Sequence, residues 1–211
     1  MDRNRVALTS GLAGLAGAAL WLLEAVISPP DGQSTLSSLV NIAAFLCMAG
    51  LIYGLYRLRA AGWGRFGSVM LLLWAAGHAA IAVATVISMA AGITDEENPA
   101  FAVGGLLQVV GGLLAAVAIT RGTVLTGWRR WMPLVWVAYF TGLMMPVGFS
   151  GDSGTLAMIV LAGWAVPVIA TASAVLTLAR QTDDRGVRGA AGDGRADADP
   201  GHAHPGTRTR P

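Results

Sequence analysis

The sequence has no lysine, one cysteine and three histidines. Each shortage removes some chemistry. The single cysteine, Cys47, excludes an intramolecular disulfide and a multi-cysteine metal site. Lying inside an apolar run, it reads as a small packing residue. His78 is the only histidine in an apolar segment, so bis-histidine haem ligation across two helices is excluded. His202 and His204 form a His-Ala-His pair near the C-terminus, but two ligands on a polar stretch make a weak metal site. No HExxH zinc motif, GxSxG elbow or Walker A loop is present. Ser38, Ser68, Ser88 and Ser173 have no evident partner base, and Glu24 is the only acid within an apolar segment. Neither a metal nor a cofactor is expected, and a membrane-embedded enzyme ranks last among the possible functions.

Charge is scarce too. Charged residues make up 12% of the chain and hydrophobic residues 55%, with a mean hydropathy of +0.61. A soluble domain carries about twice that charge. The apolar residues fall into six segments, approximately 6–28, 36–56, 67–93, 100–120, 132–149 and 155–179. A hydrocarbon core of about 30 Å needs roughly 20 apolar residues per helix, and each segment comes near or above that, the fifth being shortest. The fold class expected is an all-α membrane protein, a bundle of six transmembrane helices in one domain over residues 1–180. The connections are too short for a folded extracellular ligand-binding domain or a cytoplasmic catalytic domain.

Orientation follows from the arginines. All 14 basic residues lie on one side of the six segments. Arg3 and Arg5 precede the first, and Arg57, Arg59 and Arg65 separate the second and third. Arg121, Arg129 and Arg130 separate the fourth and fifth, and the rest follow the sixth. The other connections carry Asp31, then Asp95, Glu96 and Glu97, then Asp152. The positive-inside rule places both termini in the cytoplasm. The pI near 9.2 is then no sign of nucleic-acid binding, because these arginines flank helix ends, where anionic lipid headgroups are available. The absence of lysine beside abundant Ala, Gly and Arg fits a GC-rich bacterial genome, and hence a bacterial cell membrane. The first apolar run continues through Trp21 to Ile27, too long for a signal-peptide core of roughly 7–15 residues, and reads as an uncleaved helix.

Trp63, Trp128 and Trp131 sit beside the cytoplasmic arginines, and Trp21 and Phe149 towards the other surface, as aromatic belts would. Gly62-Trp63-Gly64-Arg65-Phe66 lines up with Gly127-Trp128-Arg129-Arg130-Trp131, so helices 2–3 are a candidate parallel repeat of helices 4–5. The alternative is that any cytoplasmic turn of such a protein favours Gly, Trp and Arg. From residue 181 onward the chain is mostly Gly, Ala, Asp, Arg, Pro and Thr, which cannot offset its ordering entropy by burial. A disordered cytoplasmic tail is expected over 181–211.

Four polar residues lie within the apolar segments: Glu24, Asn41, His78 and Gln108. Intramembrane polar groups are costly and mark packing or function. At about 1.5 Å per residue, all four fall at the midplane or in the outer half. Small-residue spacing gives their faces. Ser10, Gly14, Gly17, Trp21, Glu24 and Ser28 share one stripe of helix 1, and Ser37, Asn41, Ala44 and Met48 one of helix 2. Trp74, His78 and Ala82 share a face of helix 3, Gly105, Gln108 and Gly112 one of helix 4, and Gly163, Pro167, Ala170 and Ala174 one of helix 6. The expectation is that Glu24, Asn41, His78 and Gln108 converge on a polar cavity open to the outside. Glu24 would attract a cation or exchange a proton, and His78 would relay one through its ring nitrogens. Pro167 would kink helix 6, and Met144-Met145-Pro146 would loosen the end of helix 5. Small-solute or ion and proton transport is the leading function.

The plainer reading gives the same residues only structural work. Glu24 reaches water at the interface, Asn41 and Gln108 bond across helices at about 0.6–2 kcal/mol each, and His78 bonds a backbone carbonyl. A neighbouring helix tolerates Pro167. The corresponding function is a non-catalytic membrane partner or sensor. It would pack through Gly/Ala-rich helix faces against another membrane protein or a second copy, with its arginines on anionic lipid.

Overall fold

A computed structural model describes residues 2–28, 34–62, 64–94, 98–150 and 154–196, of which 148–150 and 181–196 are described by their main chain alone. Asp31, Trp63, Asp95, Glu96, Glu97, Asp152, His202 and His204 lie outside the described residues, as does the tail from 197. All regular structure among the described residues is helical.

The helices start and stop where local chemistry dictates. α1 (Arg3–Ile27) is capped by Asp2, whose carboxylate accepts the Asn4 N–H at 3.1 Å. α2 (Thr35–Arg57) opens with a reciprocal capping box between Ser34 and Ser37. α3 (Arg65–Ala91) stops at Gly92, which takes a left-handed φ of 65°. α4 (Pro99–Arg121) starts on Asn98 with proline in its first turn, where the missing N–H costs nothing. Side-chain caps of this kind contribute about 1 kcal/mol each.

The end of α2 departs from custom. Leu58 ends the helix, and Ala60 N–H reaches back to the Leu55 carbonyl at 2.9 Å while Arg59 N–H reaches Tyr56. This is a Schellman closure, whose turning position normally belongs to glycine. Here Arg59 holds a φ of +56°, a strain of about 1–2 kcal/mol for a residue with a Cβ. Arg59→Gly is therefore expected to leave the chain as stable as before or up to about 1 kcal/mol more stable, read as an equal or higher melting temperature in mild detergent.

Among the described residues, five spans are long and apolar enough to cross a membrane: α1 to α4, and Thr155–Arg180. They agree with the expected segments to within a few residues. The fifth expected helix, 132–149, is not one α-helix. A 3₁₀ turn over Gly127–Trp131 leads into α5 (Met132–Tyr139), a π segment over Phe140–Met144, and α6 (Met145–Ser150). The π turn closes with Met145 N–H on the Phe140 carbonyl, immediately before Pro146, which has no N–H to give. The sixth span is divided into α7 (Thr155–Gly163) and α8, with Trp164 between them. α8 runs Ala165–Ala196, past residue 180 where the tail was expected to begin.

The segments close into a ring. α1 packs on α2, α2 on α3, α3 on α4, α4 on α5, α5 on α8, and α8 returns to α1. The up-and-down order gathers the described arginines at one end of the bundle. Glycines set the closest approaches. Gly14 and Gly17 of α1 face Leu51 and Met48 of α2, and Gly54 of α2 receives Ser10, whose Cβ occupies the space a side chain there would need. Gly77 of α3 meets the backbone of Gly104 and Gln108 on α4, and Gly111 meets the backbone at Trp74. Gly104, not the expected Gly105, makes this contact; a Cβ on Gly105 would meet open space. The two turns proposed as a repeat share a left-handed glycine, Gly62 at φ 82° and Gly127 at φ 62°. The helices that follow them differ, one continuous and one divided.

Outward faces carry Leu12, Val26, Leu36, Val83, Leu106 and Leu156, among other exposed apolar side chains. This exterior, with five apolar helices of spanning length, is compatible with a multi-pass membrane protein. Trp128 and Trp131 are exposed at the arginine end, as a belt requires, with Arg130 lying 5.3 Å over the Trp131 ring. Trp21 corrects the expectation of an opposite belt: it is buried in the core, because its indole has a partner there.

Candidate functional site

The centre of the ring is aromatic, and His78 stands in the middle of it. His78 lies midway along α3 and is 1% exposed. Four rings from different elements surround it: Trp136 of α5 at 5.5 Å, Phe45 of α2 at 5.9 Å, Trp74 one turn away at 6.2 Å, and Trp164 at 6.3 Å, nearly parallel to it. Trp74 and Trp136 pack at 4.7 Å, as do Trp21 and Trp164. Such pairs contribute about 0.5–1.5 kcal/mol beyond the area they bury, so the box is rigid.

Polar groups are set into this apolar frame. His78 Nδ1 lies 3.1 Å from the Trp74 carbonyl oxygen. A carbonyl only accepts, so in the neutral ring the proton is on Nδ1 and Nε2 presents a lone pair. Nε2 is buried without a hydrogen-bond partner among the described residues, and so are Gln108 Nε2 and Trp164 Nε1. Gln108 faces Gly77, the residue before His78, across the α3–α4 contact, its Cγ 3.0 Å from where a Cβ on Gly77 would sit. Leaving a buried polar atom unpaired costs about 1–3 kcal/mol. The unpaired acceptor suits a small donor, and each unpaired donor a small acceptor, such as a water molecule or hydroxyl.

Trp164 reaches the box because the span is broken there. Pro167 cannot donate to the Gly163 carbonyl, so the last turn of α7 loses its regular ladder. Neighbouring helices bond two carbonyls of this segment, of which Leu161 also accepts the Trp164 N–H at 3.3 Å. Trp21 Nε1–H donates to Leu161 at 2.7 Å, and the Tyr139 hydroxyl donates to Val160 at 2.8 Å. Gly163 makes room for this, since a Cβ there would run into the Tyr139 hydroxyl. Pro167→Ala is expected to restore the bond to the Gly163 carbonyl and a continuous helix, and to rotate Trp164 away from His78. A red-shift of at least a few nanometres in the tryptophan emission, with no loss of thermal stability, is the outcome to look for. Unchanged emission would mean that the break does not depend on the proline.

A polar line continues along α3 away from the arginine end. Thr85 and Ser88 are buried on the same side as His78. The single Thr85 hydroxyl proton faces the Ile81 carbonyl at 3.1 Å and Asn41 Oδ1 at 3.5 Å, the longer contact joining α2 to α3. Asn98 donates to the Ala84 carbonyl at 2.9 Å and to the Ser88 hydroxyl at 3.1 Å, joining α4 to α3 near their ends. Of the four residues singled out in the sequence, His78 and Gln108 lie on facing helices near mid-depth, with Gln108 against Gly77. Asn41 stands with Thr85, roughly 10 Å further along at 1.5 Å per residue. Glu24 is half-buried near the end of α1, where it accepts from the Ser28 hydroxyl at 2.8 Å. They make a column, not one pocket. Sequence reasoning placed Trp74 on the face of His78 and passed over Thr85 and Asn98. The i, i+4 spacing of Trp74 and His78, and a tryptophan three residues before Pro167, were the available signals.

Neither a family model, a curated protein nor a solved structure matches this chain.

Proposed function

We propose that the protein is a multi-pass membrane protein of a bacterial cell membrane that moves protons through the ring along the His78 column. Both termini and the arginine end face the cytoplasm in this reading. The observation that carries it is the unpartnered lone pair of His78, buried among the rings of Trp136 and Trp164, which belong to the two irregular spans. Discontinuous helices at mid-depth are the means by which transporters place backbone and side-chain groups around a moving ion, and π segments recur at functional sites. His78 takes and returns the proton at Nε2. Asn41, Thr85 and Ser88 lead towards the outside, with Glu24 as the acid within an apolar segment on that side, and the span between is bridged by water when the bundle opens.

A partner or sensor role draws less support. The glycine faces it would need are used inside the bundle, between α1 and α2, α1 and α8, and α3 and α4. No catalytic role is proposed for any residue.

Cysteine accessibility tests the path. In a Cys47→Ala background, Asn41→Cys and Thr85→Cys should react with a membrane-impermeant maleimide added outside intact cells, and a cysteine at Leu72 should not. Equal protection at all three positions, with full reaction after denaturation, would remove the outward path.

A further inference from the structure

The strongest feature outside the column lies at the arginine end. Tyr56, Arg57, Arg59, Gly62, Arg65, Ser68, Val69 and Leu72 line an open groove of about 640 Å³ between the end of α2 and the start of α3. Three of these residues are arginines, all exposed, and none of the described lining residues is acidic. Arg57 is held in place by its neighbour: its Nη1 is 3.5 Å from the Tyr53 hydroxyl and its guanidinium lies 6.0 Å over the Tyr53 ring.

Two observations single this turn out from an ordinary basic loop. Arg59 occupies the left-handed position of the Schellman closure, where α3 uses Gly92 for the same purpose. A strained position given to a residue with a long cationic side chain points to a use for that side chain. The lining also changes character along α3. Arg65, Val69 and Leu72 follow helical spacing on one face, so charge gives way to exposed aliphatic surface over roughly 10 Å. A free phosphate would use only the first part of such a groove.

We propose that this groove binds an anionic phospholipid, with its phosphate among Arg57, Arg59 and Arg65 and an acyl chain along Val69 and Leu72. Guanidinium forks match phosphate oxygens in pairs, which favours arginine over any other cation here. The inference rests on the membrane reading and is independent of proton movement, so a negative flux result leaves it standing.

The test is native mass spectrometry of the full chain in mild detergent, titrated with phosphatidylglycerol, phosphatidylcholine or glycerol 3-phosphate. Wild type should hold phosphatidylglycerol about tenfold more tightly than phosphatidylcholine, the equivalent of about one charge-assisted contact. Arg59→Gly should abolish that preference at an equal or higher melting temperature, and Arg65→Gln should weaken it independently. The double substitution Arg129→Gln and Arg130→Gln, at the other basic turn, should leave it unchanged. Equal binding of the two lipids would overturn the proposal. So would an equal loss in the Arg129/Arg130 variant, which would mean diffuse charge, or displacement of the lipid by equimolar glycerol 3-phosphate, which would mean a site for free phosphate.

Discussion

A Gly77→Val chain is expected to lose its folded bundle. α3 and α4 touch backbone to backbone at this point. A Cβ on Gly77 would lie 2.7 Å from the Gln108 nitrogen and 3.0 Å from the Gly104 carbonyl oxygen. Those atoms belong to a helix main chain and cannot swing aside as a side-chain end can. The helices must separate, which breaks the contact along Gly104, Gln108 and Gly111 together. Overpacking a core usually costs about 1–3 kcal/mol. Here the γ-methyls of valine add to an overlap already present for alanine, so the cost lies at or above the top of that range. Fluorescence-detected size exclusion after a heating series reads it directly. Gly105→Val, one residue from the contact and facing open space, should behave as wild type. If Gly77→Val were as stable as Gly105→Val, the α3–α4 packing described above would be wrong.

The second large effect belongs to His78→Phe. Phenylalanine keeps an aromatic ring among Phe45, Trp74, Trp136 and Trp164 but has no Nε2. Removing an unpartnered buried nitrogen relieves a cost of about 1–3 kcal/mol, partly offset by the larger ring. The variant is expected to be as stable as wild type or more so. Proton movement, which uses that lone pair, should fall by at least about tenfold, as expected for losing a proton-transfer group. Stability gained and function lost at one position is the pattern of a functional residue kept at a structural cost. A purely structural His78 would give the opposite: lower stability in the variant and unchanged flux in the protein that remains folded.

Much of the architecture was legible in the sequence because spans of helical length are set by local composition. The starts at Asn98-Pro99 and Ser34, and the stop at Gly92, are written in single residues. The two irregular spans were only half visible. Pro167 and Pro146 announce lost hydrogen bonds, but the carbonyls affected lie earlier in the chain. The breaks therefore fall at Trp164 and at the π segment over Phe140–Met144, not at the prolines. How the Val160 and Leu161 carbonyls are bonded depends on Trp21 and Tyr139, which are remote in sequence. For the same reason Trp21, read as a belt residue from its depth, is a core residue. The candidate site was legible in its members more than in its shape. Polarity within an apolar run picks out His78, Asn41, Gln108 and Glu24, and spacing gives their faces. Which of them meet depends on the ring closing through α8 and α1, and that closure leaves Glu24 at the end of a column instead of inside a pocket.

Proton uptake by vesicles reconstituted with the wild-type chain tests the central claim most directly. The vesicles enclose a pH-sensitive dye, and a potassium diffusion potential, negative inside, supplies the driving force. The account predicts interior acidification well above that of protein-free vesicles, falling to their level with His78→Phe. Acidification by the wild type no faster than in protein-free vesicles, from protein shown to be folded and inserted, would contradict it.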